Sequence, residues 1–228
     1  MSWRIEHADA LSLLRELPDN WAQTCVTSPP RTSPFVTVLA VIAEVRRVLR
    51  EDGTLWLFQQ PGEPLQDALA ELGFHRQSSR RWSAPLAVNR RARLLLFTKQ
   101  SRFFCDALTL DRPRSRGLCC ASGTPSAARR AQPLPCEPQL RNELTRRCML
   151  AGSSPVACGV CGAPYRRTRP GESALGARRA TCAHNDQSGR CLVLDPFCHP
   201  GTSTAEVAHR YGRSFLGITD AARIGERR

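Results

Sequence analysis

The sequence predicts an α/β fold built on a parallel sheet, and three observations carry that expectation. Short apolar runs of β type alternate with segments of helical periodicity along the first hundred residues. A second strand–loop–helix–strand unit, CLVLDPFCHPGTSTAEVAHRYGRSFLGITD, begins at Cys191. The chain has 228 residues, of which 41% are hydrophobic, enough to bury a core and too many for a disordered segment.

Taken in order, Ala10–Leu17 reads as a short amphipathic helix ended by Pro18, and Gln23–Thr27 as an apolar strand that runs into the turn Ser28-Pro29-Pro30. Val36–Leu49 places apolar residues at helical spacing, closes on basic residues and stops before Asp52-Gly53. Thr54–Phe58 is a buried strand, Leu65–Leu72 a helix halted by Gly73, and Arg93–Thr98 a further strand. From about Ser101 to Glu137 periodicity lapses and Arg, Ser, Pro and Ala dominate, which in a compact domain marks a functional or mobile segment. Arg141–Leu150 is helical again, and a Cys-rich stretch spans Cys158–Cys191. Leu192–Leu194, Ala205–Tyr211 and Ser214–Ile218 then read as strand, helix and strand.

Thirty-three Lys+Arg against 20 Asp+Glu give a net charge of +13, and nearly all of the positive charge is Arg. A GC-rich codon bias contributes, but so large a tilt favours a polyanionic partner, for which the planar guanidinium is suited. No stretch of eighteen apolar residues occurs, and the start, MSWRIEHADALSLL, carries charges where a signal peptide needs an apolar run. A soluble, cytoplasmic protein is expected. In that compartment eleven Cys argue against a disulfide framework.

The strand-to-helix turn after Leu194 brings backbone N–H groups and a helix N-terminus toward a ligand, with Gly201 where no side chain fits. The next strand ends near Asp220, where Rossmann-like folds hold ribose hydroxyls. Physical reasoning alone gives a nucleotide-like cofactor site. The segment resembles the S-adenosylmethionine motif of the DNA amino-methyltransferases, DPFxGSGTT followed by a helix, GR and FIGIE. Asp195, Pro196, Phe197, Gly201, Thr202, Gly212, Arg213, Phe215, Gly217 and Ile218 match it; His199, Pro200 and Thr219 depart from it. A His at a loop position requiring positive φ would be strained by roughly 1 kcal/mol or more.

Upstream, TCVTSPPRTSPF is similar to the TSPPY catalytic motif of the same enzymes, with Arg31 in place of the aromatic that stacks on the flipped base and Phe35 close by. The residues suit the chemistry. An aromatic amine's lone pair is delocalised into its ring, and acceptors such as the Ser28 hydroxyl and a carbonyl near Pro29 redirect it toward a sulfonium methyl. Pro29 and Pro30 shape that corner, and the target base must leave the duplex to reach it. HADALSLLRELPD resembles the family's GDALELLRELPD, which implies that Asp9 contacts the cofactor's adenine amine; capping a helix is the competing role.

The resemblance implies a Rossmann-like, S-adenosylmethionine-dependent methyltransferase fold with circularly permuted motif order. Residues 1–100 would be the catalytic half, 101–140 a basic target-recognition segment in which Arg112, Arg114 and Arg116, with Arg31, contact double-stranded DNA, and 192–228 a truncated cofactor half. Residues 141–191 would add a helix and a small zinc-ribbon-like insert. There Cys158-x-x-Cys161 followed by Cys182-x-His184 has the spacing of a tetrahedral structural zinc site, with Cys191 as a competing fourth ligand. Cys25, inside a strand, is no nucleophile, which disfavours ring-carbon methylation. The expected activity is site-specific methyl transfer to the exocyclic amine of cytosine or adenine in DNA. The alternatives are a relative that binds DNA without turnover, or a methyltransferase of RNA or a small molecule.

Overall fold

The computed structural model describes residues 3–30, 32–59, 65–83, 91–106, 137–167, 178–199 and 203–219. In chain order these form β1 (Trp3–His7), α1 (Ala10–Glu16), β2 (Ala22–Thr27), α2 (Phe35–Val48), β3 (Leu49–Gln59), α3 (Leu65–Glu71), β4 (His75–Ser83), β5 (Arg91–Thr98), α4 (Glu137–Gly152), β6 (Arg166–Arg167), β7 (Arg178–Arg179), β8 (Leu192–Asp195), α5 (Ser203–Arg210) and β9 (Ser214–Thr219). Seven strands make one sheet in the order β1-β9-β8-β2-β3-β5-β4. The run from β1 to β3 is parallel, whereas β5 is antiparallel to both of its neighbours. The expected parallel sheet is thus a mixed one, because β4 and β5 close it as a hairpin.

Side chains on the buried strands alternate between two cores, as the pleat requires. Cys25, Leu194, Leu216 and Leu55 face one side with Leu14 of α1, the Val38–Val48 stripe of α2 and Leu69 of α3. Val26, Val193, Phe215 and Trp56 face the other with Met149 of α4 and Ala208 of α5. The unit β2–α2–β3 steps one way along the sheet and β8–α5–β9 steps the other. Right-handed crossovers therefore put α2 and α5 on opposite faces.

The Cys-rich stretch is a small unit hung from the loop between α4 and β8. Ala157 and Gly189 exchange two backbone hydrogen bonds of 3.0 Å, so the chain enters and leaves at one point, and β6 and β7 pair beyond that stem. Arg50, at the start of β3, donates to the Cys161 carbonyl at 2.7 Å, and Arg213, just before β9, donates to the Ser153 carbonyl at 2.9 Å. Both anchors lie at strand N-termini. The unit thus sits at the edge of the sheet away from Ser28 and Asp195, which follow or end strands.

Two strands of the seven-stranded sheet escaped the sequence reading, as did the two-residue strands β6 and β7. WRIEH of β1 is short and mostly exposed, and HRQSSRRWS of β4 shows no apolar alternation, so pairing with β9 and β5 makes them strands. α4 starts earlier than its periodicity suggested. Its last residue, Gly152, is pressed against β2 and β3. A Cβ there would lie 2.5 Å from the hydroxyls of Thr24 and Thr54 and 2.8 Å from Trp56 Nε1. Gly152→Ala is accordingly expected to lower the unfolding free energy by about 1–3 kcal/mol, through overpacking, in urea denaturation. An unchanged midpoint would mean that α4 shifts at no cost.

Candidate functional site

β8 and β2 lie side by side, with Cys25 opposite Leu194, and the chain departs from them in opposite directions along the sheet. A crevice opens beyond the carboxyl ends of such a strand pair, which is where open α/β sheets take ligands. Its two walls are the turn Ser28-Pro29-Pro30 after β2 and Asp195-Pro196-Phe197 at the end of β8. Thr27 Oγ1 donates to Asp195 Oδ1 at 2.7 Å, and Phe197 N donates to the same oxygen at 3.3 Å. The hydroxyl of Thr204, in the first turn of α5, is a third partner.

Asp195 is 2% exposed, and burial pushes its carboxyl up to about 6 against the pull of those three hydrogen bonds. Cys25 lies beside it in β2. Burial first, and the Asp195 charge second, hold its thiol well above the ordinary range, so it is unreactive. Pro29 is buried, while Ser28 and Pro30 are half-buried at the crevice, and Ser33 N donates to the Pro30 carbonyl at 3.2 Å to close the turn. Among the described residues no hydrogen bond engages the Ser28 hydroxyl.

The neighbouring strand tips complete this edge. Cys198 N donates to the Ile218 carbonyl at 2.9 Å, and a Cβ at Gly217 would approach Cys198 Sγ to 2.8 Å, so glycine lets the DPF loop fold onto β9. Ala8 N donates to the carbonyl of Thr219, a buried residue, at 3.2 Å. Asp9 then caps α1, its Oδ1 accepting from Ser12 N at 2.8 Å and Ser12 Oγ at 2.7 Å, and these bonds lower its acidity range. His199 is free of the expected strain: Asn20 is the one non-glycine residue with positive φ among those described.

On the opposite edge the structure brings together Cys158, Cys161, Cys182 and His184, whose ligand atoms all lie within 4.8 Å of one another. Gly162, at φ +71, turns the knuckle back beneath Arg50, and Cys161 N approaches Cys158 Sγ to 3.5 Å. Cys191 stands apart. It is buried ahead of β8, its thiol raised to about 11 by burial, and it is not in the four-residue cluster.

With this geometry the chain is similar to solved structures over almost its whole length. M1.HpyAVI matches 96% of this chain and 93% of its own at a TM-score of 0.57 and 17% identity. An M1.HpyAVI–SAM complex matches 95% and 92% at 0.56 and 17%. The PvuII DNA methyltransferase, cytosine-N4-specific, matches 96% and 82% at 0.58 and 15%. The chain has a methyltransferase fold. No protein-family model and no curated protein matches the sequence. At these identities the likeness is one of architecture, carried by the order and direction of the strands.

Within the methyltransferase fold, the crevice unites Ser28, Pro29, Pro30, Asp195, Pro196 and Phe197, with Asp9 at the tip of β1 on the same edge. Arg31, Gly201, Thr202, Asp220, Arg112, Arg114 and Arg116 lie outside the described residues. Sequence reasoning missed Thr27 and Thr204. Neither hydroxyl carries a spacing signal, and only the contact of β2 with β8 reveals their partner. No helix is long and apolar enough to cross a membrane among the described residues.

The raised carboxyl of Asp195 makes stability depend on pH. Between about pH 4 and pH 6 the unfolded chain has lost this proton while the folded chain keeps it, so this group's contribution falls as pH rises and levels off above pH 6. A two-unit displacement corresponds to about 3 kcal/mol. Asp195→Asn keeps an acceptor for Thr27 and does not titrate. Urea denaturation across this window should therefore show the wild type losing about 3 kcal/mol relative to the variant. A pH-independent difference would refute it.

Proposed function

We propose that the chain is an S-adenosylmethionine-dependent DNA methyltransferase acting on the exocyclic amine of cytosine or adenine. The observation that carries this reading is the Thr27–Asp195 hydrogen bond, which ties the Ser-Pro-Pro turn to the DPF loop across one crevice. Similarity in fold to the PvuII DNA methyltransferase and to a protein solved with SAM supports it. A net charge of +13 favours the phosphate backbone as partner.

The crevice fits the cofactor in its donor set. A strand-to-helix turn lies at a switch point of the sheet, with a buried threonine in the helix's first turn and the capped Asp9 carboxylate two strands away on the same edge. S-adenosylmethionine supplies an electrophilic methyl group on a sulfonium. Asp195, its carboxylate spent on Thr27, Phe197 and Thr204, holds the loop in place without reaching the ligand. Ser28 Oγ accepts one N–H of the target amine and a carbonyl at Pro29 accepts the other, turning the nitrogen lone pair out of the ring. Buried Pro29 fixes that corner and keeps water out, so positioning supplies most of the rate.

Tritium transfer from S-adenosylmethionine to DNA of a methylation-deficient host, followed by mass analysis of the bases, tests the proposal. Ser28→Ala is expected to lower kcat by about 100-fold or more while cofactor binding by calorimetry stays unchanged. Full activity in that variant would remove the assigned role. The second reading, DNA binding without turnover, is favoured by the departures from the family's motifs at Arg31, His199 and Pro200. Absence of calorimetric cofactor binding in the wild type would select it.

For the opposite edge, Cys158, Cys161, Cys182 and His184 fit a structural zinc ion. Three thiols and one imidazole suit a closed tetrahedral site, whose sulfur ligands lie about 3.8 Å apart. The remote position suits a staple, not a catalytic metal. About one zinc per chain is expected by elemental analysis, lost in Cys182→Ser and kept in Cys191→Ser. Loss of zinc in Cys191→Ser together with its retention in His184→Ala would make Cys191 the fourth ligand.

A further inference from the structure

The seven-stranded sheet ends in β1 on one side and β4 on the other. Such an edge offers a row of backbone N–H and C=O groups to any passing strand, and proteins guard it with charge. β4, HRQSSRRWS, carries three arginines and no acid, so a second copy of it is repelled. β1 differs. Its sequence, Trp3-Arg4-Ile5-Glu6-His7, sets one cation and one anion evenly about Ile5. Among the described residues no strand pairs with its outer side. Ala8 N donates to the Thr219 carbonyl, and alternate residues of a strand direct their backbone groups to opposite sides. Arg4 and Glu6 therefore bond toward β9, while Trp3, Ile5 and His7 turn their backbone groups outward. The side chains are open too: Trp3 is 48% exposed, and those of Arg4 and Glu6 are 50% and 40%. Trp3 is nevertheless held in place, its Nε1 donating to the Ala205 carbonyl at 3.1 Å and its ring edge-on to His209 at 6.4 Å.

Turned about Ile5, this strand is complementary to itself. In an antiparallel pair with a second copy, Ile5 meets Ile5 of the partner subunit, Arg4 meets Glu6 of the partner subunit, and Trp3 meets His7 of the partner subunit. The outward groups of Trp3, Ile5 and His7 then exchange the ladder bonds. The Arg4–Glu6 pairs fall at the intervening positions, where facing side chains come closest. We propose that two copies of this chain join edge to edge through β1, about a two-fold axis at Ile5, into one continuous sheet. Sequence fixes the register. A slip of two residues one way sets Arg4 against its own counterpart, and a slip the other way does the same for Glu6. The seam is neutral although each chain carries +13, so the copies are not opposed where they touch. Five residues make a short seam, at the weak end of protein interfaces, and the dimer is therefore reversible. Because the joined strands are antiparallel, the two crevices open at opposite ends of the sheet. The inference does not depend on the methyl-transfer reading.

Sedimentation velocity of the full chain over a micromolar concentration series tests this. The wild type is expected to pass from monomer to dimer as concentration rises. Arg4→Glu and Glu6→Arg each place like charges opposite one another at both ion-pair positions, and each should weaken self-association about tenfold or more. Mixed together, the two variants should associate with each other as the wild type does with itself, because acid then faces base at both positions. A chain carrying both changes should self-associate again. Rescue in the mixture separates lost complementarity from misfolding. A wild type that stays monomeric at every concentration, as it would if another part of the same chain covered this edge, would overturn the proposal. A dimer indifferent to both single changes would overturn it as well, since its interface would lie elsewhere. So would a mixture of the two variants that fails to associate.

Discussion

A carboxylate taken out of water must be met by donors or give up its charge, and that constraint organises the crevice edge of this molecule. Asp195 meets three donors, each from a different place: the last residue of β2, the loop after β8 and the first turn of α5. Remove any one and a buried acceptor is left wanting, so the three elements are bound to a common geometry. Thr27 is the outermost residue of β2, and the next three form the turn on which the proposed chemistry depends. The position of Ser28 is therefore set less by its own contacts than by the hydrogen bond made one residue earlier.

The two edges of the sheet divide the work. Strand C-termini carry the turn, the DPF loop and the cap of α1. Strand N-termini carry the Cys-rich unit and the arginines that dock it: Arg50 on Cys161, Arg213 on Ser153 and Arg166 on the Phe103 carbonyl at 3.2 Å. Because Ala157 and Gly189 close the unit's stem, its inserted residues need no accommodation in the sheet. An elaboration of this kind can be added or tuned without moving the crevice. The thiols follow the same division. Cys25, Cys148, Cys191 and Cys198 are buried outside the four-residue cluster, and burial raises the first three, whereas backbone and thiol hydrogen bonds outweigh burial to lower Cys158 within it.

Much of this was legible in the sequence, and the reasons are local. Leu192–Leu194 is a continuous apolar run and Gln23–Thr27 a β-type run whose polar members Gln23, Thr24 and Thr27 are also buried, because both faces of those strands are covered. The α2 stripe is a helix buried on one side, with a period that no strand imitates. CxxC and CxH pointed to four side chains that the fold does bring within 4.8 Å of one another, because a knuckle's spacing is dictated by its own short turn. What stayed hidden depended on distant partners. β1 becomes a strand by pairing with a segment more than two hundred residues away, and β4 by pairing with β5. The fourth-ligand choice between His184 and Cys191 is not a matter of spacing at all: Cys191 is drawn into the body of the fold just ahead of β8, and that removes it from the cluster.

Asp9 shows how one residue answers to two demands. At the tip of β1 it stands on the same edge of the sheet as the crevice, yet Oδ1 satisfies two donors of Ser12 and secures the start of a seven-residue helix that has little else to hold its first turn. A cap of this type contributes about 1 kcal/mol, and a charged capping carboxylate remains able to accept further donors through its second oxygen. Helix stability and ligand contact therefore do not compete for the same lone pairs. The capped geometry also fixes the carboxylate before any ligand arrives, so the entropy of ordering it is met in folding and not in binding.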